Sequence, residues 1–382
     1  MLKPSKLDQI TATLAMFILV SSPSVKVFYS STLINISALV LLLFVYFRNM
    51  QEVVALRFNR KIFSYYLISV LLFFSYLLFG KNSLQDFEGI FRYIYLLTSL
   101  YLVASLDKYI LHKQLIWGIV AWGLLIGVLK LVNLLNYSGA GQTYLTVGLP
   151  MGAGLTGALM TFAYTKESVL SRRRLLSLVA IIVIMSALLI SRGRSNILYP
   201  AVVFIITLGC NFFFNKKERL KYAVIMIFTA IMTIFSLGAL MSNNEYKSIN
   251  RLTESVGNVE EEARYAKWVR SIQLISENPF GYGVDSCYEL IGNYPHNIFI
   301  EITLSFGVII FILFLVFVTG FFRAFTNVFS KIPLEPGLIT VGAIAIYFFL
   351  SWNTSFDLGT AYIPLSLMLL FIRKKKANGY EK

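Results

Sequence analysis

Two arginines in a short turn are the first residues of this sequence placed to do chemistry. Ser191-Arg192-Gly193-Arg194-Ser195 joins two apolar runs. A guanidinium fork matches phosphate oxygens through paired hydrogen bonds, and charge held at an apolar boundary is costly enough to default to function. The plainer alternative is a hairpin pair whose stems lie along lipid while the heads reach water. Further along, Arg264, Lys267 and Arg270 recur every third residue, which sets them along one helix face. That stripe is either a solvated face paired with Glu260, Glu261 or Glu262, or a second set of cations. Taken with Arg192 and Arg194, it predicts a membrane-level site for a phosphate or diphosphate.

A base stands close by in the sequence. Tyr294-Pro295-His296-Asn297 lies where the same segment re-enters an apolar run. His296 is the one histidine expected on that side, and His112 reads as a surface residue. Neutral imidazole accepts a proton near pH 7, although a lone loop histidine is usually only a surface group. Asn297 and Glu301 follow one and five residues later, and neither spacing by itself makes an orienting partner. Asp357 is the one acid in its loop, placed either to pair with an arginine or to orient a sugar. Phe280-Gly281-Tyr282-Gly283 contains the Gly-Tyr-Gly of potassium filters without the surrounding filter sequence, and reads as a turn after Pro279. Cys210 and Cys287 have no metal-type spacing and are not expected to pair. Two histidines leave little room for a His-based metal site. No phosphate-loop, dinucleotide or metalloprotease motif is found.

Composition identifies the elements that must carry these residues. Of the 382 residues, 57% are hydrophobic and 14% charged, against roughly a quarter charged in soluble domains. Runs of about 20 apolar residues span a bilayer as helices, and the short alternating strands of a barrel are missing. The expected fold is an all-α, polytopic membrane bundle. Its spans fall near 9–24, 32–47, 62–79, 91–106, 114–134, 147–164, 175–190, 195–214, 222–241, 297–319, 337–351 and 360–372, about twelve helices. The N-terminal run, without a clear cleavage site after it, reads as an uncleaved first helix.

A net charge of +15 then reports topology rather than nucleic-acid binding. With the N-terminus in the cytoplasm, 23 of the 34 Lys and Arg fall on inner segments, as the positive-inside bias requires. Both termini are therefore expected to be cytoplasmic. The connection 242–296 is much longer than any other, and long ordered loops usually carry function. The organisation is a bundle in two parts, 1–241 and 297–382, around a periplasmic loop domain, 242–296. Within that loop, 263–275 has helical periodicity, with Tyr265, Trp268, Ile272 and Ile275 on one face, and Pro279 ends it.

These segments also look familiar in their order. Arg264-Tyr265-Ala266-Lys267-Trp268 leads to Glu277-Asn278-Pro279-Phe280-Gly281-Tyr282-Gly283. Pro295-His296-Asn297-Ile298-Phe299-Ile300-Glu301 and Phe306-Gly307 follow. Over 191–310 this resembles the O-antigen ligase/polymerase superfamily, membrane glycosyltransferases of bacterial surface polysaccharide assembly. The second glycine usual after Phe306-Gly307 is replaced by Val308, at a position read as packing. The resemblance implies a metal-independent, cofactor-free enzyme of the inner membrane, acting at its periplasmic face on an undecaprenyl-diphosphate-linked oligosaccharide. It implies Arg192 or Arg194 with Arg264 and Lys267 as diphosphate ligands, and His296 as general base. Arg270, Asn297, Glu301 and Asp357 are supporting candidates. The expected function is an O-antigen polymerase, with membrane lipid around it and a chain-length regulator as an optional partner. The alternative is the ligase that transfers the finished chain to lipid A-core. A lipid-linked glycan flippase or other transporter is the second alternative; it predicts internal repeats and midplane polar groups, whereas Lys130 is the one clear charge inside a span.

Overall fold

The computed structural model describes residues 4–25, 31–50, 87–135, 144–164, 171–191, 195–214, 219–220, 223, 227, 263–330 and 335–377. All regular structure among them is helical. The helices are α1 (Lys6–Val25), α2 (Ser31–Arg48), α3 (Phe87–Ser105), α4 (His112–Leu131), α5 (Tyr144–Tyr164), α6 (Arg172–Leu189), α7 (Ser195–Phe214), α8 (Ala263–Glu277), α9 (Ser286–Ile291), α10 (Ile298–Phe329), α11 (Pro336–Ser355) and α12 (Tyr362–Ala377). Apart from α8 and α9, each matches a span expected from sequence. The expected spans 62–79 and 222–241 lie outside the described residues, except for positions 223 and 227, and so does most of 242–262.

Among the described residues, α4, α7, α10, α11 and 145–164 of α5 are long and apolar enough to cross a membrane; α2 and α12 contain shorter apolar stretches. Outward faces have the inverse of a soluble pattern. On α2, Leu33, Ile36, Val40, Phe44 and Phe47 are all exposed, an apolar stripe at helical spacing turned away from the core. Lipid is the solvent such a stripe needs.

Small residues let the inner helices approach closely, as in membrane bundles generally. A Cβ on Gly123 of α4 would stand 2.6 Å from the Pro150 carbonyl oxygen and 2.9 Å from Gly154 Cα of α5. Pro150 interrupts the α5 ladder, and Tyr347 of α11 donates to the Leu149 carbonyl beside it at 3.1 Å.

Contacts fix the relative directions of the helices. Leu111 N donates to Thr13 Oγ1 (2.9 Å) and Trp122 Nε1 to Ser24 Oγ (2.7 Å), the same offset twice, so α1 and α4 run parallel. Near the start of α1, Arg48 meets Asp8 at 3.5 Å; at that same end Arg373 of α12 meets Asp107 at 3.5 Å. The opposite end gathers Ser22 with Tyr362 (2.8 Å), Tyr199 with Thr354 (2.9 Å) and Arg92 with Asp357 (3.6 Å). The start of α1 and the end of α12 therefore share one end of the bundle. Ser191 and Ser195, the 263–297 segment and the 356–361 connection share the other.

α10 departs from expectation. In place of one span over 297–319, the helix runs to Phe329 and breaks at Gly307, whose φ of 79° and ψ of 174° are non-helical. The first piece, 298–306, is about 14 Å long and the second, 308–329, about 33 Å at ~1.5 Å per residue. Only the second has the length of a full span. The polar groups Glu301, Thr303 and Ser305 all precede the break and are buried. The short piece therefore belongs to the protein interior below the loop rather than to lipid.

Candidate active site

The loop segment is locked onto α10 by the break. After α8, Pro279 stops the helix, and Asn278 Nδ2 closes a tight turn onto the Gly281 carbonyl at 2.8 Å. The chain then runs across Gly307. Tyr282 N and Gly283 N donate to the Leu304 and Ser305 carbonyls (2.8 and 2.9 Å), and Val308 N donates to the Pro279 carbonyl (2.9 Å). The backbone groups orphaned by the break are thus satisfied by the loop, as groups in a low-dielectric interior must be. Only glycine allows this approach. A Cβ on Gly281 would lie 2.6 Å from Gly307 N, and one on Gly307 would lie 2.5 Å from the Phe280 oxygen. Gly-Tyr-Gly is a docking strap, which agrees with its reading as a turn. Above it, Leu274, Cys287 and Leu304 form a small core with Ile275, Tyr282 and Tyr294 packed against it.

The core fixes which side of α8 turns inward: of the apolar face read from the sequence, Trp268 and Ile275 are half-buried. Ser271 and Leu274 are buried, whereas Tyr265, Val269 and Ile272 are exposed. The buried face is the one that meets α10, and the row Tyr265, Val269, Ile272 is turned outward, followed by Phe280 at 74% exposure.

His296 sits at the junction. Trp268 Nε1 of α8 donates to the Pro295 carbonyl at 2.7 Å, and Tyr294 Oη donates to the Ser355 carbonyl of α11 at 3.1 Å. Asn297 caps α10, its Oδ1 accepting from Phe299 N and Ile300 N (3.0 and 3.2 Å). Between these fixed neighbours His296 adopts a left-handed φ of 55°. Such a backbone costs a non-glycine residue about 1–3 kcal/mol, and its surroundings must enforce it. The ring lies 4.2 Å from the Tyr294 ring, centroid to centroid. Nδ1 is buried with no hydrogen-bond partner among the described residues.

The electrostatics follow from that placement. Partial burial pushes the imidazole pKa down to about 4, and the nearby positive charges of Arg264 and then Lys267 push in the same direction. The ring is therefore neutral at pH 7. Of the three cations in the basic stripe, Arg264 and Lys267 are near enough for their charge to act on the imidazole. Arg270 is exposed and donates to Gln273 Oε1 at 3.1 Å. Arg192 and Arg194 lie outside the described residues. Their flanks, Ser191 and Asn196, are buried at the His296 end of the bundle, with Asn196 Oδ1 accepting from Tyr347 Oη at 3.2 Å.

Glu301 and Asp357 do not touch His296. Glu301 is buried on the short piece of α10, and its Oε1 accepts the Leu358 N–H at 2.8 Å. Asp357 caps the short helix Leu358–Thr360, its Oδ1 accepting from Thr360 N (2.9 Å) and Thr360 Oγ1 (2.7 Å). Its Oδ2 faces Arg92 of α3 and Tyr288 of α9. Pairing with an arginine, one of its two expected roles, is realised. Arg92 and Tyr288 were not legible as site residues, because only the fold brings α3 and α9 to Asp357. Among the described residues no three His, Cys, Asp or Glu side chains are grouped to hold a metal.

The charge placement makes a direct prediction. The chain has two histidines, so protein labelled with 15N-histidine gives two imidazole sets. The His296 set is expected to stay neutral until the pH falls to about 4. In Lys267→Gln the midpoint should rise toward the unperturbed ~6.5, because one cation opposing protonation is gone. A wild-type His296 midpoint at or above 6.5 would rule out this electrostatic picture.

The comparison with known families bears on this end of the molecule. Residues 169–315 match the family model described as O-antigen ligase. The match covers 147 of the 382 residues, and it is this segment that is similar to O-antigen ligases. The matched segment holds the 191–195 turn, α8, the Gly281–Gly307 junction and His296, and agrees with the resemblance read from 191–310. No curated protein matches the chain significantly. Five of the described helices are long and apolar enough to cross a membrane, and the matched family model is one of O-antigen ligases.

Proposed function

We propose that this protein is an O-antigen polymerase of the O-antigen ligase/polymerase superfamily. It would join undecaprenyl-diphosphate-linked repeat units at the periplasmic face of a twelve-span inner-membrane bundle with both termini in the cytoplasm. What supports the site is the charge of Arg264 and Lys267 acting on a neutral His296, whose backbone φ is 55°. A lipid diphosphate has an anionic head and an apolar tail. α8 offers the two cations on one side and the exposed row Tyr265, Val269, Ile272 beside them.

In the reaction, a hydroxyl of the acceptor repeat unit attacks the anomeric carbon of the donor glycan. The new C–O bond forms as the bond from that carbon to the diphosphate oxygen breaks. The hydroxyl proton passes to His296, and the diphosphate departs with its charge stabilised by Arg264 and Lys267, joined by Arg192 or Arg194. Cations that meet charge as it develops lower the barrier without metal help. The anionic head also offsets the two cations beside the imidazole. The bound donor thereby makes His296 a stronger base than it is in the free protein.

The compact loop, 242–296, favours the polymerase over the ligase. A gene deletion tests the choice. Loss of polymerase leaves lipopolysaccharide core bearing a single repeat unit, and restored wild type returns the ladder on a silver-stained gel. Bare core with lipid-linked polymer accumulating identifies the ligase instead. An unaltered ladder removes both.

A further inference from the structure

A second set of groups leads away from His296. The Tyr294 ring lies 4.2 Å from the His296 ring and 6.3 Å from the Tyr288 ring. Tyr288 Oη is 3.3 Å from Asp357 Oδ2, and Arg92 Nη1 is 3.6 Å from the same oxygen. Both contacts are loose. The Arg92 distance exceeds a direct hydrogen bond, and gaps of that size are bridged by an intervening hydroxyl or water. Asp357 Oδ1, by contrast, is tied to Thr360 N and Thr360 Oγ1 at 2.9 and 2.7 Å. One carboxylate oxygen is anchored and the other is presented beside a guanidinium and a phenol. The side chains of Arg92 and Asp357 are 38% and 15% exposed, so the cluster is open to solute.

We propose that Tyr294, Tyr288, Asp357 and Arg92 form the subsite for the acceptor saccharide. The chemistry fits a neutral or weakly polar glycan better than the diphosphate. Aromatic faces pack against the C–H surface of a sugar ring. A carboxylate oxygen accepts from one sugar hydroxyl, and the guanidinium donates to its neighbour. The diphosphate goes to the cations of α8, because the carboxylate of Asp357 would repel it here. His296, between the two subsites, is then within reach of the hydroxyl that must lose its proton. This assignment rests on the glycan-transfer reading above.

The test uses the full-length protein in nanodiscs and a probe without diphosphate. The probe is the repeat-unit oligosaccharide released by mild acid from the lipid-linked intermediate of the host deletion strain. Binding is followed by saturation-transfer NMR and titration. Asp357→Asn keeps the shape and the cap at Oδ1, and is expected to bind the oligosaccharide about tenfold more weakly, the scale of one lost charge-assisted hydrogen bond. Tyr288→Phe, which removes one hydroxyl only, should weaken it by a smaller factor. Both variants should retain the wild-type affinity for undecaprenyl diphosphate, a readout that a collapsed fold would not preserve. Two results overturn the subsite: no oligosaccharide binding by wild type, or Asp357→Asn binding as tightly as wild type. The ladder separates the two ideas. If the deletion strain loses its ladder while the oligosaccharide does not bind, the transfer reading stands and the subsite falls. If the ladder is intact while Asp357→Asn still loses binding, the saccharide site stands without the transfer.

Discussion

Replacing His296 by alanine is expected to slow glycan transfer by about 10²–10⁴-fold, the usual contribution of a positioned general base. The size follows from how few groups at this end can take a proton. Arg264 and Lys267 are cations at working pH. Glu301 is buried with one oxygen bound to Leu358 N, and Asp357 is engaged with Thr360, Tyr288 and Arg92. A sugar hydroxyl is a poor nucleophile unless its proton leaves as the new bond forms, whereas a diphosphate held by cations departs without an acid. Among the described residues His296 offers the proton a buried ring nitrogen without a hydrogen-bond partner, and removal of the proton is the step the variant loses. Donor binding should persist, since the cations remain. With purified lipid-linked repeat unit, the release of undecaprenyl diphosphate gives the rate, and its retention by the protein gives the binding. A variant within tenfold of wild type would show that the proton goes elsewhere.

The sequence made the basic stripe and the histidine visible because charge is rare in this chain and its placement is costly. Arg264 and Lys267 could be paired with His296 before any coordinates. Arg270, at the same spacing, could not be told from them, since a period of three says nothing of which turn of α8 faces the loop. The bundle was legible for the same reason in reverse: apolar runs of span length leave few alternatives to a helix. What escaped was tertiary. Spacing grouped Tyr265, Trp268, Ile272 and Ile275 on one face of α8 without saying which side is inside, and in the structure Ser271 and Leu274 are the buried pair while Tyr265 and Ile272 are exposed. A helix at a lipid boundary can satisfy apolar side chains on either side, so periodicity loses its power to name the inside. Arg92 and Tyr288 were equally silent, because the fold brings them to Asp357 from elements far apart in the chain.

Gly307 is the position where sequence and structure differ most in weight. In sequence it is half of the two-residue Phe306-Gly307 motif that contributes to the resemblance. In the structure it is the point on which the loop and α10 are joined. Gly307→Ala is expected to destabilise the protein by roughly 3–5 kcal/mol, the range of the largest single-site effects. A Cβ there would lie 2.5 Å from the Phe280 oxygen, 2.6 Å from Phe280 C and 2.8 Å from the Pro279 oxygen, all backbone atoms with no rotamer to yield. Its φ of 79° adds the cost of left-handed backbone at a residue with a side chain. Relief requires the strap to move, which breaks Val308 N to Pro279 O and exposes orphaned backbone groups to an apolar interior. His296 would move with it, since the same short piece of α10 begins at Asn297. Gly320 provides the comparison within one helix. A Cβ there has nothing within 4 Å, so Gly320→Ala should be neutral or stabilising by up to about 1 kcal/mol. Thermal unfolding of the two variants in matched detergent measures the contrast. Equal melting temperatures would mean that the junction yields more readily than its backbone contacts allow, and that the loop is not seated on the break in α10.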